Sequence, residues 1–342
     1  MTGIFAVKER ERKMNRDLMK KMGSMQQMAY VRKVTFEEGA SAGLRAYEVK
    51  AGELAFTVAA DKCLDIVEMS YKGVNLNFLS KPGLMNGQRF DSNGFEAQKS
   101  IMGGMFFTCG TSNVGRPDLN PDAPLPMHGY LRSTPAEHVC ADAFWDGDVY
   151  RIVISGEMRQ AALFGENIVL RRTISAELGS SEVKIHDEYV NEGYGDEPFM
   201  LLYHCNVGYP LLDAGSVIEV PAVETVLKGE DKETERPWNL VGEAVDLLPE
   251  EVFYHKIRFD EDGKARVRVK NPALGMGICV EFSGEELPNF TQWKSMASGD
   301  YVVGLEPCNC HVDGQKWEEE NGTLRRILAG EKKVVELGIR VE

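Results

Sequence analysis

The sequence predicts one large antiparallel β sandwich with a short helical segment at its N-terminus. Strand-like segments follow one another from about Val31 to the C-terminus, and turns that contain Gly, Asn or Asp separate them. Helical periodicity is confined to the first thirty residues and, in a weaker form, to residues 86–105. We therefore expect an amphipathic helical extension over residues 1–30 and a single β domain over residues 31–342.

The N-terminal segment has apolar side chains at helical spacing on a basic background. Met14, Leu18, Met22 and Met25 form the apolar stripe, and residues 8–21 carry seven Lys or Arg against three Asp or Glu. A basic amphipathic helix can bind an anionic membrane. We favour docking of the stripe on the protein's own domain or on a second subunit, and the latter would make the protein a homodimer.

The β domain is predicted from a long series of short segments rich in β-branched and aromatic residues. A hairpin is expected around Ala51-Gly52 and a second turn at Lys72-Gly73. The predicted strands are 45–49, 54–58, 63–71, 74–79, 150–157, 168–178, 182–190, 199–205, 217–220, 253–259, 265–270, 276–282, 301–305 and 333–341.

Composition and charge exclude several classes of function. The net charge of -14 argues against a nucleic-acid partner, because nucleic-acid phosphates require a basic surface. The apolar runs are too short for a membrane span, and no signal peptide is visible. Seven cysteines, an odd number without disulfide-like spacing, indicate free thiols. We expect a soluble cytoplasmic protein.

The segment 201–212, LLYHCNVGYPLL, contains the first candidate catalytic residue. Both faces of this strand are mostly apolar, so we expect it to be buried on both sides. His204 lies near the end of the strand, just before a turn marked by Gly208 and Pro210. A histidine there either bonds a backbone carbonyl in the core or faces a cavity where it can act on a ligand.

A second histidine follows a loop that its prolines should stiffen. Residues 116–126, RPDLNPDAPLP, contain four prolines, which reduce the entropy that a loop loses on ordering. The loop leads directly into His128 and Gly129, and a glycine allows the backbone to approach a ligand closely. His128 is therefore either a surface histidine or a ligand-binding residue. A further long segment, 228–251, is acidic and polar, and we interpret it as a surface insertion without chemistry.

A carboxylate at the end of a late strand is the third candidate. Glu306 follows the apolar strand 301–305 and precedes Pro307. Proline favours extended geometry at the residue before it and removes a ladder donor, so regular pairing should weaken there. Glu306 is then either an exposed turn residue or a fixed carboxylate that can act as a base.

Neither a metal nor a cofactor is expected. Cys308, Cys310 and His311 are close in sequence, but they lack the spacing of common zinc sites and no second cluster completes a ligand set. The glycine-rich motifs that bind dinucleotides or nucleotide phosphates are absent, as is the nucleophile elbow of serine hydrolases.

The order of several motifs resembles the aldose 1-epimerase, or galactose mutarotase-like, superfamily, from about residue 40 onward. The similarity is greatest to a divergent branch described as a domain of unknown function. The motifs are TCGTSNVG at 108–115, PMHGYLR at 126–132, the segment 170–193, LLYHCNVGYP at 201–210 and GLEPCN at 304–309. The resemblance implies a β supersandwich, in which two large antiparallel sheets stack face to face.

The resemblance also implies roles for the three candidates. His204 matches the family's general acid, Glu306 its general base, and His128 the second active-site histidine, which contacts the sugar. The expected reaction opens the sugar ring and closes it on the other face, so α and β anomers of a free sugar interconvert. The alternatives are a carbohydrate-binding protein without catalysis and an epimerase or isomerase of an unusual sugar.

Six further residues are candidates for sugar binding. Asn113 is a loose match to an asparagine of the family that binds sugar hydroxyls. Tyr203 and Trp293 would supply apolar faces for the sugar ring, because aromatic side chains pack against such surfaces. The remaining three, Arg132, Asn206 and Lys294, would bind hydroxyl groups.

Overall fold

The computed structural model describes residues 19–86, 94–121, 124–229 and 236–342. Within these ranges the strands are β1 Ala29–Thr35, β2 Arg45–Ala51, β3 Leu54–Ala59, β4 Asp65–Tyr71, β5 Val74–Asn75, β6 Phe107–Thr111, β7 Glu137–Asp146, β8 Val149–Ala161, β9 Asn167–Glu177, β10 Glu182–Asn191, β11 Glu197–Pro198, β12 Met200–Val207, β13 Val217–Glu219, β14 Ala222–Leu227, β15 Glu251–Ile257, β16 Lys264–Asn271, β17 Met276–Ser283, β18 Asn289–Ala297, β19 Asp300–Cys308, β20 Arg326–Ile327 and β21 Lys332–Val341.

Helical structure in the described ranges is short. Helix α1 spans Gln315–Glu320, and the 3-10 helices are Met19–Lys21, Met25–Gln27, Gly39–Ser41, Gly94–Lys99 and Leu131–Ser133. No described helix combines the length and the apolar character that a membrane crossing requires.

The strands of the described residues form three large antiparallel sheets and one small one. The sheet orders are β1-β2-β3-β4-β5, then β13-β16-β17-β21-β10-β9-β8-β7, then β14-β15-β18-β19-β12-β6, with β11 pairing β20 separately. Hairpin connections dominate, as in β8-β9-β10 and β18-β19, since sequential antiparallel strands usually pair. The predicted all-β supersandwich is confirmed.

Alternating side chains of the sheets meet in one hydrophobic core. Val183 and Ile339 of the eight-stranded sheet belong to the same buried cluster as Val303 of the six-stranded sheet and Val58 of the five-stranded sheet. Successive residues of a strand point to opposite faces, so each large sheet offers one face to this core. The other face of the six-stranded sheet, here called its outer face, carries a smaller apolar cluster and the site described below.

The N-terminal extension is described in part. Residues 1–18, which include Met14 and Leu18 of the predicted stripe, lie outside the described ranges. The described remainder forms two short 3-10 turns, and β1 begins at Ala29, two residues before the predicted domain boundary. The docking of the stripe therefore stays a prediction.

Candidate functional site

A cleft of about 980 Å³ lies on the outer face of the six-stranded sheet. His128, His204 and Glu306 all line it. His204 and Glu306 are on the central strands β12 and β19, and His128 is on the loop that precedes Leu131–Ser133. The three candidate catalytic residues thus converge on one open cavity.

The register of two neighbouring strands brings His204 and Glu306 together. β12 pairs with β19 on either side of His204, and this register puts Glu306 directly opposite. Side chains opposite one another on antiparallel strands have Cβ atoms about 4.5–5.5 Å apart. The ladder is interrupted at this point, where Pro307 has no N–H to donate. Both residues lie within their strands, not at the ends that the sequence predicted.

The imidazole and the carboxylate are in contact without a satisfied hydrogen bond. His204 Nε2 lies 3.0 Å from Glu306 Oε1. Nevertheless, neither Glu306 Oε1 nor His204 Nδ1 makes an aligned hydrogen bond with a described residue, although both atoms are buried. Buried polar atoms are almost always paired, and exceptions concentrate at sites where a ligand or a reaction supplies the partner. The pair therefore has unused capacity for hydrogen bonding.

Glycine at position 304 makes room for this pair. A Cβ atom at Gly304 would lie 2.6 Å from a ring carbon of His204 and 2.7 Å from Glu306 Oε1. Such distances are shorter than van der Waals contact, so any side chain here would push the imidazole and the carboxylate apart. Gly304 is thus a spatial requirement of the site; it begins the GLEPCN motif, but no role was predicted for it.

His128 is held as a neutral hydrogen-bond donor. The Gly115 N–H donates to His128 Nδ1 at 3.3 Å, so the ring proton is assigned to Nε2. Burial, with smaller contributions from the neighbouring His204 and Arg132, lowers the pKa of His128 to about 3. The His128 ring centroid lies 6.2 Å from that of His204. A neutral imidazole in this position can donate its Nε2–H to an oxygen in the cleft.

Two aromatic side chains flank His204. The Trp293 ring packs edge-on against His204 with a centroid distance of 5.4 Å, and its Nε1–H donates to Glu250 at 2.7 Å. Phe107 lies directly opposite His204 on β6, and its ring centroid is 6.0 Å from that of His128. Both rings line the cleft and supply apolar surface. Trp293 was predicted from the sequence, whereas Phe107 was not.

Asn206 is the other predicted binding residue that lines the cleft. Its Nδ2 donates to the carbonyls of Gly104 and His204, at 3.0 and 3.2 Å. Its Oδ1 makes no hydrogen bond to a described residue, and it can accept one from a ligand hydroxyl.

Asn113 and Arg132 do not line the cleft, so their predicted contact with sugar hydroxyls is corrected. Asn113 is fully buried: its Nδ2 donates to two loop carbonyls, and its Oδ1 accepts the Gln315 N–H. Arg132 is 1 % exposed and donates to the Met127 carbonyl at 2.9 Å. Both side chains hold the loops around His128 in place, because these loops leave carbonyls that need donors.

Tyr203 and Lys294 point away from the cleft, and their predicted roles are corrected too. Each is adjacent in sequence to a cleft residue, and adjacent residues of a strand point to opposite faces. The Tyr203 hydroxyl donates to Asp187 at 2.6 Å in the core. Lys294 Nζ donates to the carbonyls of Pro237 and Leu240, both at 2.7 Å.

Cleft residues also come from the segment 228–251, which the sequence indicated to be without chemistry. Lys228 and Glu250 line the cleft, and Lys228 forms an ion pair with Asp313. Arg116 of the proline-rich loop lines it as well. These positions depend on tertiary folding, since nothing in the local pattern of a polar loop shows which surface it covers. Residues 230–235 of the segment lie outside the described ranges.

A buried network of charged side chains holds β12 on the face opposite the cleft. Arg172 forms a bidentate pair with Asp187, at 2.8 and 2.7 Å, and also donates to Asp65 at 3.0 Å. Asp187 in turn accepts the Tyr203 hydroxyl, next to His204 in the chain. Bidentate charge-assisted pairs have defined geometry. The network therefore connects the three large sheets directly beneath β12.

Cys308 and Cys310 belong to a small apolar cluster. His311 points elsewhere and lies 3.2 Å from Glu318. Among the described residues, no group of three or more His, Cys, Asp or Glu is arranged to hold a metal ion.

The fold and the cleft define a member of the galactose mutarotase-like structural class. The model of the family described as a domain of unknown function, DUF4432, matches residues 41–341. The chain belongs to this family. No curated protein matches the sequence.

Solved structures share the fold at low sequence identity. A Klebsiella pneumoniae protein, provisionally assigned as an aldose 1-epimerase, is 19% identical with a TM-score of 0.83; the superposition covers 91% of this chain and 83% of that protein. A galactose mutarotase-like protein of Clostridium acetobutylicum is 12% identical with a TM-score of 0.62, and the superposition covers 92% of this chain and 99% of that protein. The galactose 1-epimerase of Lactobacillus acidophilus is 10% identical with a TM-score of 0.55, covering 92% and 99%.

Proposed function

We propose that the protein is an isomerase that interconverts the α and β anomers of a free aldose. The observation that carries this proposal is the contact of His204 Nε2 with Glu306 Oε1 at 3.0 Å, in a cleft where both residues retain unpaired buried atoms. An acid and a base side by side can move protons to and from one small substrate. The shared fold of mutarotase-like proteins supports the same class of reaction.

Anomer exchange requires two proton transfers, one at each of the two oxygens that are bonded to C1. Glu306 takes the proton of the anomeric hydroxyl, while His204 gives a proton to the ring oxygen as its bond to C1 breaks. Rotation about the C1–C2 bond then turns the aldehyde, and the two residues reverse their roles as the ring closes. Because both sugar oxygens are bonded to the same carbon, the base and the acid must lie close together, as these two residues do.

The remaining cleft residues would orient the sugar. His128 donates its Nε2–H to a sugar oxygen, since its Nδ1 is already occupied by Gly115. Trp293 and Phe107 pack against the apolar faces of the ring, and the Asn206 side-chain oxygen accepts a hydroxyl. Each positioned proton transfer contributes about a hundred- to ten-thousandfold to the rate.

Anomer exchange can be measured directly by NMR. Free hexoses, pentoses and 6-deoxy sugars are each mixed with the protein, and exchange between the two anomeric proton signals is compared with buffer alone. The proposal expects exchange well above the buffer rate for at least one aldose. Binding of a sugar without faster exchange would identify a carbohydrate-binding protein instead.

A further inference from the structure

The contact between His204 and Glu306 provides a proton path that anomer exchange does not use. His204 Nε2 lies 3.0 Å from Glu306 Oε1, a distance at which a proton can pass directly from one side chain to the other. In the proposed exchange each residue recovers its starting protonation state by itself, because the two reverse their roles as the ring closes. A direct path between the acid and the base serves a reaction that moves protons in one direction.

The two atoms are close together but are not aligned. Glu306 Oε1 is buried and accepts no hydrogen bond from a described residue, so the Nε2–H of His204 is directed away from it. Both side chains line the cleft, where that N–H is available to a ligand. Once Nε2 has given its proton to a ligand, it has a free lone pair and can accept a proton from the Glu306 carboxyl group. The pair can therefore be reset without the substrate.

Hydrolysis of a sugar lactone is a reaction of this kind. A lactone keeps the ring of the aldose but has a carbonyl group at C1 in place of the anomeric hydroxyl. Glu306 takes a proton from a water molecule, whose oxygen forms a bond to C1. The bond between C1 and the ring oxygen breaks, and His204 gives its Nε2 proton to that oxygen. The product is the open-chain aldonic acid.

Hydrolysis leaves the two side chains with their protons misplaced. Glu306 holds a proton of the water, and His204 lacks the proton that the ring oxygen received. The product does not return these protons, since no ring closes in the forward reaction. Transfer of one proton from Glu306 to His204 Nε2 across the 3.0 Å contact restores both side chains for the next turnover. The overall reaction consumes one lactone and one water, and it needs no other reactant.

His128 supplies a donor for the charge that develops during hydrolysis. Attack of water turns the carbonyl oxygen at C1 into an oxyanion, and a fixed hydrogen-bond donor stabilises such a charge. His128 presents its Nε2–H, because its Nδ1 accepts the Gly115 N–H at 3.3 Å. The His128 ring centroid is 6.2 Å from that of His204. With hydrogen bonds of about 2.7–3.2 Å, two rings at this separation can reach two oxygens of one carbon.

We propose that the protein also hydrolyses sugar lactones to aldonic acids, with water as the second substrate. The inference rests on the proposed function for the assignment of the cleft to a sugar ring, whereas the hydrolysis itself does not require that anomers exchange. The substrate class is the 1,5- or 1,4-lactone of an aldonic acid.

Lactone hydrolysis is measured with a pH indicator, which reports the acid that the reaction releases. The probes are the 1,5- and 1,4-lactones of gluconic, galactonic and mannonic acid. Wild type should exceed the enzyme-free rate by at least about tenfold for one or more of them. Glu306→Gln and His204→Asn should fall to the enzyme-free rate, and Glu306→Gln should still bind the lactone in saturation-transfer NMR.

The matched controls are Glu336→Gln and His186→Asn. These two residues pair across strands β10 and β21 and do not line the cleft, so both variants should hydrolyse the lactone at the wild-type rate. The wild-type rate, after subtraction of the enzyme-free rate, should also stay constant when the buffer concentration is raised, because the proton returns within the pair.

Anomer exchange of the corresponding aldoses is measured with the same proteins, so the two proposals can fail separately. Lactone hydrolysis without exchange supports the inference while the proposed function fails. Exchange without lactone hydrolysis overturns the inference, as does the absence of both reactions. Hydrolysis that Glu306→Gln leaves unchanged overturns it too, and so does a rate that rises with buffer concentration, since the proton would then return through the solvent.

Discussion

The Nδ1 atom of His128 accepts the backbone N–H of Gly115 at 3.3 Å, and this bond sets the tautomer of a histidine in the cleft. With Nδ1 occupied, the proton of the neutral ring resides on Nε2. His128 has a positive φ of 60°, a conformation that few residues other than glycine adopt. The loop therefore holds the ring in one orientation and one protonation state.

Replacement of His128 by asparagine, a residue that tolerates positive φ, should weaken substrate binding as well as rate. We expect kcat/KM to fall by about tenfold or more, mainly through a higher KM, because a donor to the sugar is lost. The pH–rate profiles of the variant and of wild type should have the same shape between pH 5 and 9, since a pKa of about 3 keeps His128 neutral there. A different shape in the variant would show that His128 itself titrates during the reaction.

Gly304→Ala should impair the proposed reaction by moving His204, the proposed acid, away from Glu306, the proposed base. The added methyl would stand 2.6 Å from the His204 ring and 2.7 Å from Glu306 Oε1. Relief of these contacts would shift the two side chains, and a misplacement of about 1 Å costs roughly a hundredfold in rate. Gly338→Ala on β21 is the matched control, because the nearest atom to its Cβ would be the flexible end of Glu182 at 3.3 Å, followed by Glu281 Cβ at an ordinary contact distance of 3.9 Å. Equal activity of the two variants would mean that the spacing of the pair is unimportant.

Tyr203→Phe should reduce stability without changing the KM for sugar. The variant removes the hydroxyl that donates to Asp187 at 2.6 Å in a fully buried network. Leaving such a charged acceptor with one fewer donor costs about 1–3 kcal/mol of unfolding free energy. Urea denaturation and steady-state kinetics separate the two effects. A raised KM at unchanged stability would show that Tyr203 contributes to sugar binding after all.

The same tyrosine marks the limit of what the sequence could predict. Alternation of apolar residues along the strands was sufficient for the sandwich and for the burial of β12 on both faces. His204 was predicted because it follows an apolar run, and Trp293 because an aromatic side chain can pack against a sugar ring. Their neighbours Tyr203 and Lys294 were assigned to the same site by proximity in sequence, whereas the two-residue period of a strand sends them to the opposite face.

Local sequence patterns could not predict the features of the cleft that depend on contacts between distant parts of the chain. Nothing in the residues around Gly304 shows that it faces an imidazole from another strand, which depends on the register of β12 against β19. Likewise, Lys228 and Glu250 lie in a polar segment whose position over the cleft depends on how the strands before and after it pair. Register and loop placement are properties of the assembled sheet.

His255 should make the protein less stable in mild acid. Burial lowers its pKa to about 4, against about 6.5 in an unfolded chain. Between these values the unfolded chain takes up a proton that the folded protein excludes, so the stabilisation present above about pH 6.5 is lost as pH falls towards 4. The slope approaches about 1.4 kcal/mol per pH unit for one proton.

His255→Gln removes this titration, and urea denaturation at pH 7, 5.5 and 4.5 measures its effect. The advantage of wild type over the variant in unfolding free energy should shrink steadily as the pH is lowered. A difference that stays constant across the three pH values would show that His255 is not held neutral by its buried position.

The central claim is that Glu306 and His204 form the base and the acid of anomer exchange. Glu306→Gln keeps the shape of the side chain but removes the base, and Glu336→Gln, an exposed glutamate on β21, serves as the control. The deciding measurement is the anomer exchange rate by NMR on an aldose whose binding has been shown for all three proteins. The account predicts that Glu306→Gln binds this sugar but loses roughly a hundredfold or more in rate, while the control matches wild type. Equal exchange rates for wild type and Glu306→Gln would contradict it.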